Sequence, residues 1–118
     1  MKKNDKNEKM IYLPIKPLSA NRLWQGRRFR SPAYNKYSKD ILLLLPKLPP
    51  IDKKAKLKVE LFFAFSSPLA DIDNPIKGFL DLLQIKYNFN DKQIWRLEVD
   101  KEKTLKGQEY TGFNISVL

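Results

Sequence analysis

One stretch of this chain admits a single local structure. Leu57, Val59, Leu61, Phe63 and Phe65 alternate with Lys56, Lys58, Glu60, Phe62 and Ala64. An apolar period of two is the pattern of a strand with one face buried. A helix would scatter the same side chains around its axis. Breakers bound the stretch, Leu48-Pro49-Pro50 upstream and Ser66-Ser67-Pro68 downstream. The other elements must pack on this strand.

The rest of the chain supplies them. Met10 to Ile15 reads as a short strand closed by Pro17. Ser31-Pro32 starts a helix, with Ser31 as N-cap and Pro32 at the first helical position. Tyr34, Tyr37, Ile41, Leu42, Leu44 and Leu45 recur at helical spacing, and the pattern stops before Pro46. Asn74-Pro75 starts a second helix with Ile76, Phe79, Leu80 and Leu83 as its apolar stripe. Asn88 to Asp91 is loop, and Ile94 to Lys101 is a strand with Trp95, Leu97 and Val99 on one face. Thr104 to Gln108 is a turn, and Tyr110 to Leu118 is a closing strand. The order is β-α-β-α-β-β, a single small α+β domain with a mixed sheet. The last two strands are expected to form a hairpin. Residues 1–9 are expected to be a disordered tail, and 10–118 the folded domain. A domain of 118 residues leaves much surface uncovered, so a homodimer is expected.

Composition narrows the chemistry. With 23 Lys and Arg against 13 Asp and Glu, the formal net charge is +10. Such an excess favours a polyanionic partner, nucleic acid first and an anionic membrane surface second. There is no Cys and no His, which excludes disulfides, zinc ribbons, thiol nucleophiles and every histidine base. Carboxylates, Lys, Tyr or a bound metal must carry any catalysis. No apolar run approaches the roughly 20 residues of a membrane span, and the N-terminus lacks a signal peptide's apolar core. A cytoplasmic location is expected.

Against this basic background stands a concentrated acidic segment, Asp71-Ile72-Asp73-Asn74, followed by Lys77 and later by Asp91. In an extended segment Asp71 and Asp73 point the same way, and paired carboxylates repel unless a positive charge lies between them. Helix capping accounts for Asn74 and partly for Asp73, which would favour the positive end of the helix. It does not account for Asp71. A calcium loop fails, because Pro75, Ile76 and Leu82 occupy positions that require a ligand, glycine and glutamate. Lys77 follows Asp73 by four residues, which suits either a surface ion pair or an ammonium beside a metal-bound phosphate. Asp91 alone reads as a turn residue. With Asp71 and Asp73 it completes an oxygen-ligand set suited to Mg²⁺, or to Mn²⁺ in its place.

Two further segments bear on partners. Asn21, Arg22, Arg27, Arg28 and Arg30 surround Trp24 and Phe29 in a basic, aromatic loop. That mixture suits a nucleic-acid strand, through phosphate contacts and base stacking, or else a solvated loop. Gly107 to Gly112 has the spacing of a phosphate-binding loop, but Phe113-Asn114 replaces the required Lys-Ser/Thr, so no nucleotide cofactor is expected.

From Ile11 onward the chain resembles the RusA family of Holliday junction resolvases. Three segments carry the resemblance: Leu13-Pro14-Ile15-Lys16-Pro17-Leu18-Ser19-Ala20-Asn21, then Asp71-Ile72-Asp73-Asn74 with Lys77 and an apolar helix, then Asn90-Asp91-Lys92-Gln93-Ile94. The resemblance implies a dimer with two active sites and Mg²⁺-dependent paired nicking of a four-way DNA junction in recombination and repair. It implies Asp71, Asp73 and Asp91 as essential carboxylates and Lys77 as the essential lysine. Relatives often have Asp-Asp where this chain has Asn90-Asp91, and basic residues where it has Ser66 to Ala70. Two alternatives keep the same fold: a branched-DNA-binding protein that does not cleave, and a broader flap or fork nuclease. An acidic-surface adaptor domain is a third, unrelated class.

Overall fold

The computed structural model describes residues 9–18, 24–25 and 29–118. The tail expected over residues 1–9 therefore lies, but for Lys9, outside the described residues. The elements in chain order are β1 (Ile11–Leu13), β2 (Trp24–Gln25), β3 (Phe29–Arg30), α1 (Pro32–Leu44), β4 (Leu57–Phe65), α2 (Ile76–Tyr87), a one-turn 3-10 helix (Asp91–Gln93), β5 (Ile94–Lys103) and β6 (Tyr110–Val117). The fold is α+β, as expected. The segment from Trp24 to Arg30 contributes a two-stranded antiparallel pair, β2 with β3, instead of loop throughout.

Sheet order is β1-β6-β4-β5. β4 pairs parallel with β5 and antiparallel with β6, so the sheet is mixed. The expected hairpin of the last two strands does not form, because β4 lies between them. Polarity explains the placement. On β4, Leu57, Val59, Leu61 and Phe63 are at most 1% exposed, and Ala64 on the opposite face is fully buried. A strand buried on both faces belongs in the middle of a sheet. β5 carries Arg96, Glu98, Asp100 and Lys101, all exposed, and charges at an edge discourage further pairing. Trp95 and Leu97, read as sharing one face of this strand with Val99, are 65% and 41% exposed.

Both helices pack on one face of the sheet. α1 contributes Tyr34, Tyr37 and Ile41, with Leu45 beyond its end; α2 contributes Phe79, Leu82, Leu83 and Tyr87. Phe79 meets Phe63 and Phe113 edge to face, at ring-centroid distances of 6.2 and 5.9 Å. Leu82 is in the core although the α2 stripe read from the sequence omitted it, and Leu44 is 47% exposed although the α1 pattern included it. The α1 start is as expected: the Ser31 side chain accepts from the Tyr34 N–H at 3.0 Å, with Pro32 following.

Candidate active site

The chain leaves β4 at Phe65 and makes a tight excursion before α2. The Leu69 N–H donates to Ser67 Oγ at 3.2 Å, and Lys101 on β5 donates to the Ala70 carbonyl at 2.8 Å. These bonds fix the approach to Asp71. Two successive turns follow, closed by Asn74 N–H to the Asp71 carbonyl and Ile76 N–H to the Asp73 carbonyl, so the segment is not the extended one in which Asp71 and Asp73 would point the same way. Asp71 and Asp73 are both exposed and precede the N-terminus of α2, where peptide dipoles favour negative charge.

Asn74 does not cap this helix. Pro75 holds the cap position with no side-chain capping bond, and the Asn74 carboxamide donates to Asp71 Oδ2 at 3.4 Å. Pro75 has no N–H, and its ring fixes φ near −65°; the observed −86° places it at the end of a turn instead of inside the helix. Asn74 therefore orients the Asp71 carboxylate. Lys77 pairs with Asp81 at 3.7 Å. That assigns Asp81, read from sequence as solvated or structural, a partner at the rim of the site. The Lys77 side chain is 77% exposed, so the pair is a weak surface contact.

Asp71 and Asn74 also line a cleft of about 550 Å³. Its other walls come from the segment after β1 (Ile15 to Leu18), the first half of α1, and the β4 exit. Lys16 and Lys36 stand on two of these walls. Lys36 pairs with Asp40 at 2.7 Å. Glu109, on the connection from β5 to β6, is held below the usual carboxylate range, first by a hydrogen bond from Ser66 and in smaller part by the charge of Lys16. Sequence reading missed Lys16 and Lys36. Their positions along the chain carry no signal, because only the fold brings β1 and α1 beside Asp71.

Asp91 belongs to a different end of the molecule. It opens the 3-10 turn that feeds β5, and its N–H donates to Gln84 Oε1 at 2.8 Å. Asn90 and Gln93 form a reciprocal capping box around it. Gln93 is buried and donates to the carbonyls of Asp52 at 2.9 Å and Ala55 at 3.1 Å. Asn and Gln three residues apart were the available sequence signal for this support. α2 has 12 residues, so Asp91 and the Asp71–Asp73 turn are separated by a helix about 18 Å long. Among the described residues no three acidic side chains gather to hold a metal.

Asp71 and Asp73 fit a hard divalent cation in donor chemistry. Two exposed carboxylates with room for waters and a phosphate are what Mg²⁺ takes in phosphate-handling sites. Of the residues expected to grip DNA, Asn21, Arg22, Arg27 and Arg28 lie outside the described residues, and Arg30 is described in its backbone alone, paired with Trp24.

Fold and site together define a small α+β protein with two exposed carboxylates at a strand-to-helix junction, one of them lining a cleft that carries both lysines and aspartates. The chain matches the family model of Endodeoxyribonuclease RusA over residues 14–116, and it belongs to that family. The matched span includes Asp71, Asp73, Lys77 and Asp91. Membership implies an endodeoxyribonuclease that acts on branched DNA. No curated protein matches the chain. Among the described residues, no helix is long and apolar enough to cross a membrane.

Proposed function

We propose that this protein is a homodimeric, Mg²⁺-dependent endonuclease that resolves four-way DNA junctions by paired nicks in opposed strands. The observation that carries the reading is that Asp71 and Asp73 are both exposed in successive turns ahead of α2, with Asn74 bonded to Asp71 and Lys77 one turn away, in a chain of this family. Asp71 and Asp73 would hold the cation. When bound, Mg²⁺ supplies polarisation of the scissile phosphate and a lowered pKa for the attacking water.

The chain's own residues have separate roles. Asn74 holds Asp71 in orientation through its carboxamide. Lys77 is exposed and tied only loosely to Asp81, so its ammonium can swing to a phosphate and stabilise the charge that develops there. The +10 net charge draws the polyanion to the surface. Asp91 lies beyond the far end of α2, so it serves the carboxylate pair of a second copy rather than its own. A two-fold dimer with the helices running in opposite directions brings each Asp91 toward the partner's Asp71 and Asp73. It also forms two equivalent sites, which suits a substrate with near two-fold symmetry. In-line attack leaves 5′-phosphate ends.

The test is nicking of an end-labelled four-way junction, with Mg²⁺ and then with EDTA. Symmetrical cuts that depend on the metal support the reading. Junction binding without nicking in any divalent metal would replace it with the non-cleaving alternative, and equal cutting of flaps and forks would replace it with the broader nuclease.

A further inference from the structure

We propose that the cleft beside Asp71 receives one unstacked nucleotide next to the scissile phosphate, and that this capture selects branched over linear DNA. The proposal rests on the nuclease reading above and names how the same site recognises its substrate.

The cleft has two kinds of wall. Ile15, Pro17, Leu18 and Phe65 make an apolar side, while Lys16 offers an ammonium group at the rim; Lys36 also lines the cleft, paired there with Asp40. A surface that only tracks phosphates needs lysines and no apolar hollow. At about 550 Å³ this hollow lies within the range of about 300–1,000 Å³ typical of ligand sites. A flat apolar group carrying a negative charge matches both walls, and a nucleotide is such a group. Asp71 lines the same cleft, so a nucleotide held there has its phosphate beside the Asp71 carboxylate. Phe65 is partly buried against the core and lines the hollow. An aromatic lining suits a base, since stacking accepts any of the four.

Duplex DNA cannot fill the hollow without losing a base from its stack, which costs unstacking and unpairing. At a branch point the stack is already interrupted, so the same capture costs less. The cleft then rewards the branch itself and reads no base edge.

The experiment places the fluorescent adenine analogue aminopurine at each nucleotide flanking the crossover of a junction and, separately, in a linear duplex. Full-length protein is added in EDTA, so that no strand is cut. A rise in fluorescence at one flanking position of the junction, absent from the duplex, is the expected result. Ala33→Trp, which fills the hollow from the first turn of α1, should abolish that rise while the protein still binds. Lys16→Ala offers a second variant should the tryptophan disturb folding. It should lower the slope of log affinity against log salt by about 0.7–0.9, one phosphate contact. Junction binding with no rise at any flanking position overturns the cleft proposal even if the protein nicks in Mg²⁺. A rise that survives Ala33→Trp, with an unchanged salt slope in Lys16→Ala, overturns it too. A rise without nicking keeps the cleft and removes the nuclease reading; failure to prefer the junction at all removes both.

Discussion

Asp71 and Asp91 stand at opposite ends of α2, one ahead of Ile76 and the other beyond Tyr87. The backbone on each side fixes this. Asp71 follows the C-terminal end of β4, while Asp91 precedes the N-terminal end of β5, and these strands run parallel with Leu57 opposite Ile94 and Phe65 opposite Lys103. A parallel pair joined by a helix puts its two connections at opposite edges of the sheet. No local rearrangement brings the carboxylates together within one chain.

A mixing experiment follows from that geometry. Asp71→Asn and Asp91→Asn proteins should each lose nicking by at least about 10²–10³-fold, the loss typical of removing one electrostatic catalytic group. After unfolding and refolding together, mixed dimers carry one site with both changes and one with neither. Nicking of one strand per junction should return. Were each site made within a single chain, every site in the mixture would carry a change and no activity would return.

Gln93 holds Asp91 in place without touching substrate. Its side chain bridges the Asn90 N–H and the carbonyls of Asp52 and Ala55. Gln93→Ala removes three part-buried hydrogen bonds that close the turn and tie it to the Asp52–Ala55 segment, each worth about 0.5–1.5 kcal/mol, and frees the turn. The expected result is a lower kcat with junction affinity nearly unchanged, measured by single-turnover nicking alongside a binding titration.

Tyr37 behaves in the opposite sense. Its hydroxyl is buried with no hydrogen-bond partner among the described residues, and burial raises its pKa far above the ordinary phenol value. Removing a buried, unpaired polar atom while keeping the ring should stabilise the fold. Tyr37→Phe is expected to raise the unfolding free energy by about 1 kcal/mol in urea titrations.

Alkaline pH probes Tyr87. Its hydroxyl donates to the Pro46 carbonyl at 2.7 Å, and burial pushes its pKa from 10.0 up to about 12. Between those values the folded state binds more protons than the unfolded state, so stability falls as pH rises. Below pH 10 the contribution is fully present. The urea midpoint should drop across this window, and Tyr87→Phe should show a shallower drop.

Much of the fold was legible because its strongest signals are local. The alternation of β4, the Ser31-Pro32 start of α1 and the α2 stripe through Phe79 and Leu83 each depend on neighbours a few residues away. Strand pairing is not local. β5 and β6 are adjacent in sequence and read as a hairpin, yet β4, fully buried on one face and half-buried on the other, takes the position between them. The site divides in the same way. Asp71, Asp73, Lys77 and Asp91 stood out by residue type and spacing, and Asp71 was the one that capping could not explain. Its bond from Asn74, the Lys77–Asp81 pair and the lysines of the cleft required three dimensions. So did the distance to Asp91, because spacing along a chain does not show that a helix separates two carboxylates.

The most direct measurement is the strand-by-strand cleavage of a labelled four-way junction by wild-type and Asp71→Asn proteins at equal binding saturation. Wild type should cut two opposed strands at symmetrical positions in Mg²⁺, leave 5′-phosphate ends and stop on addition of EDTA. Asp71→Asn should bind the junction and leave it intact. An Asp71→Asn protein that cuts as fast as wild type would contradict the assignment of the site.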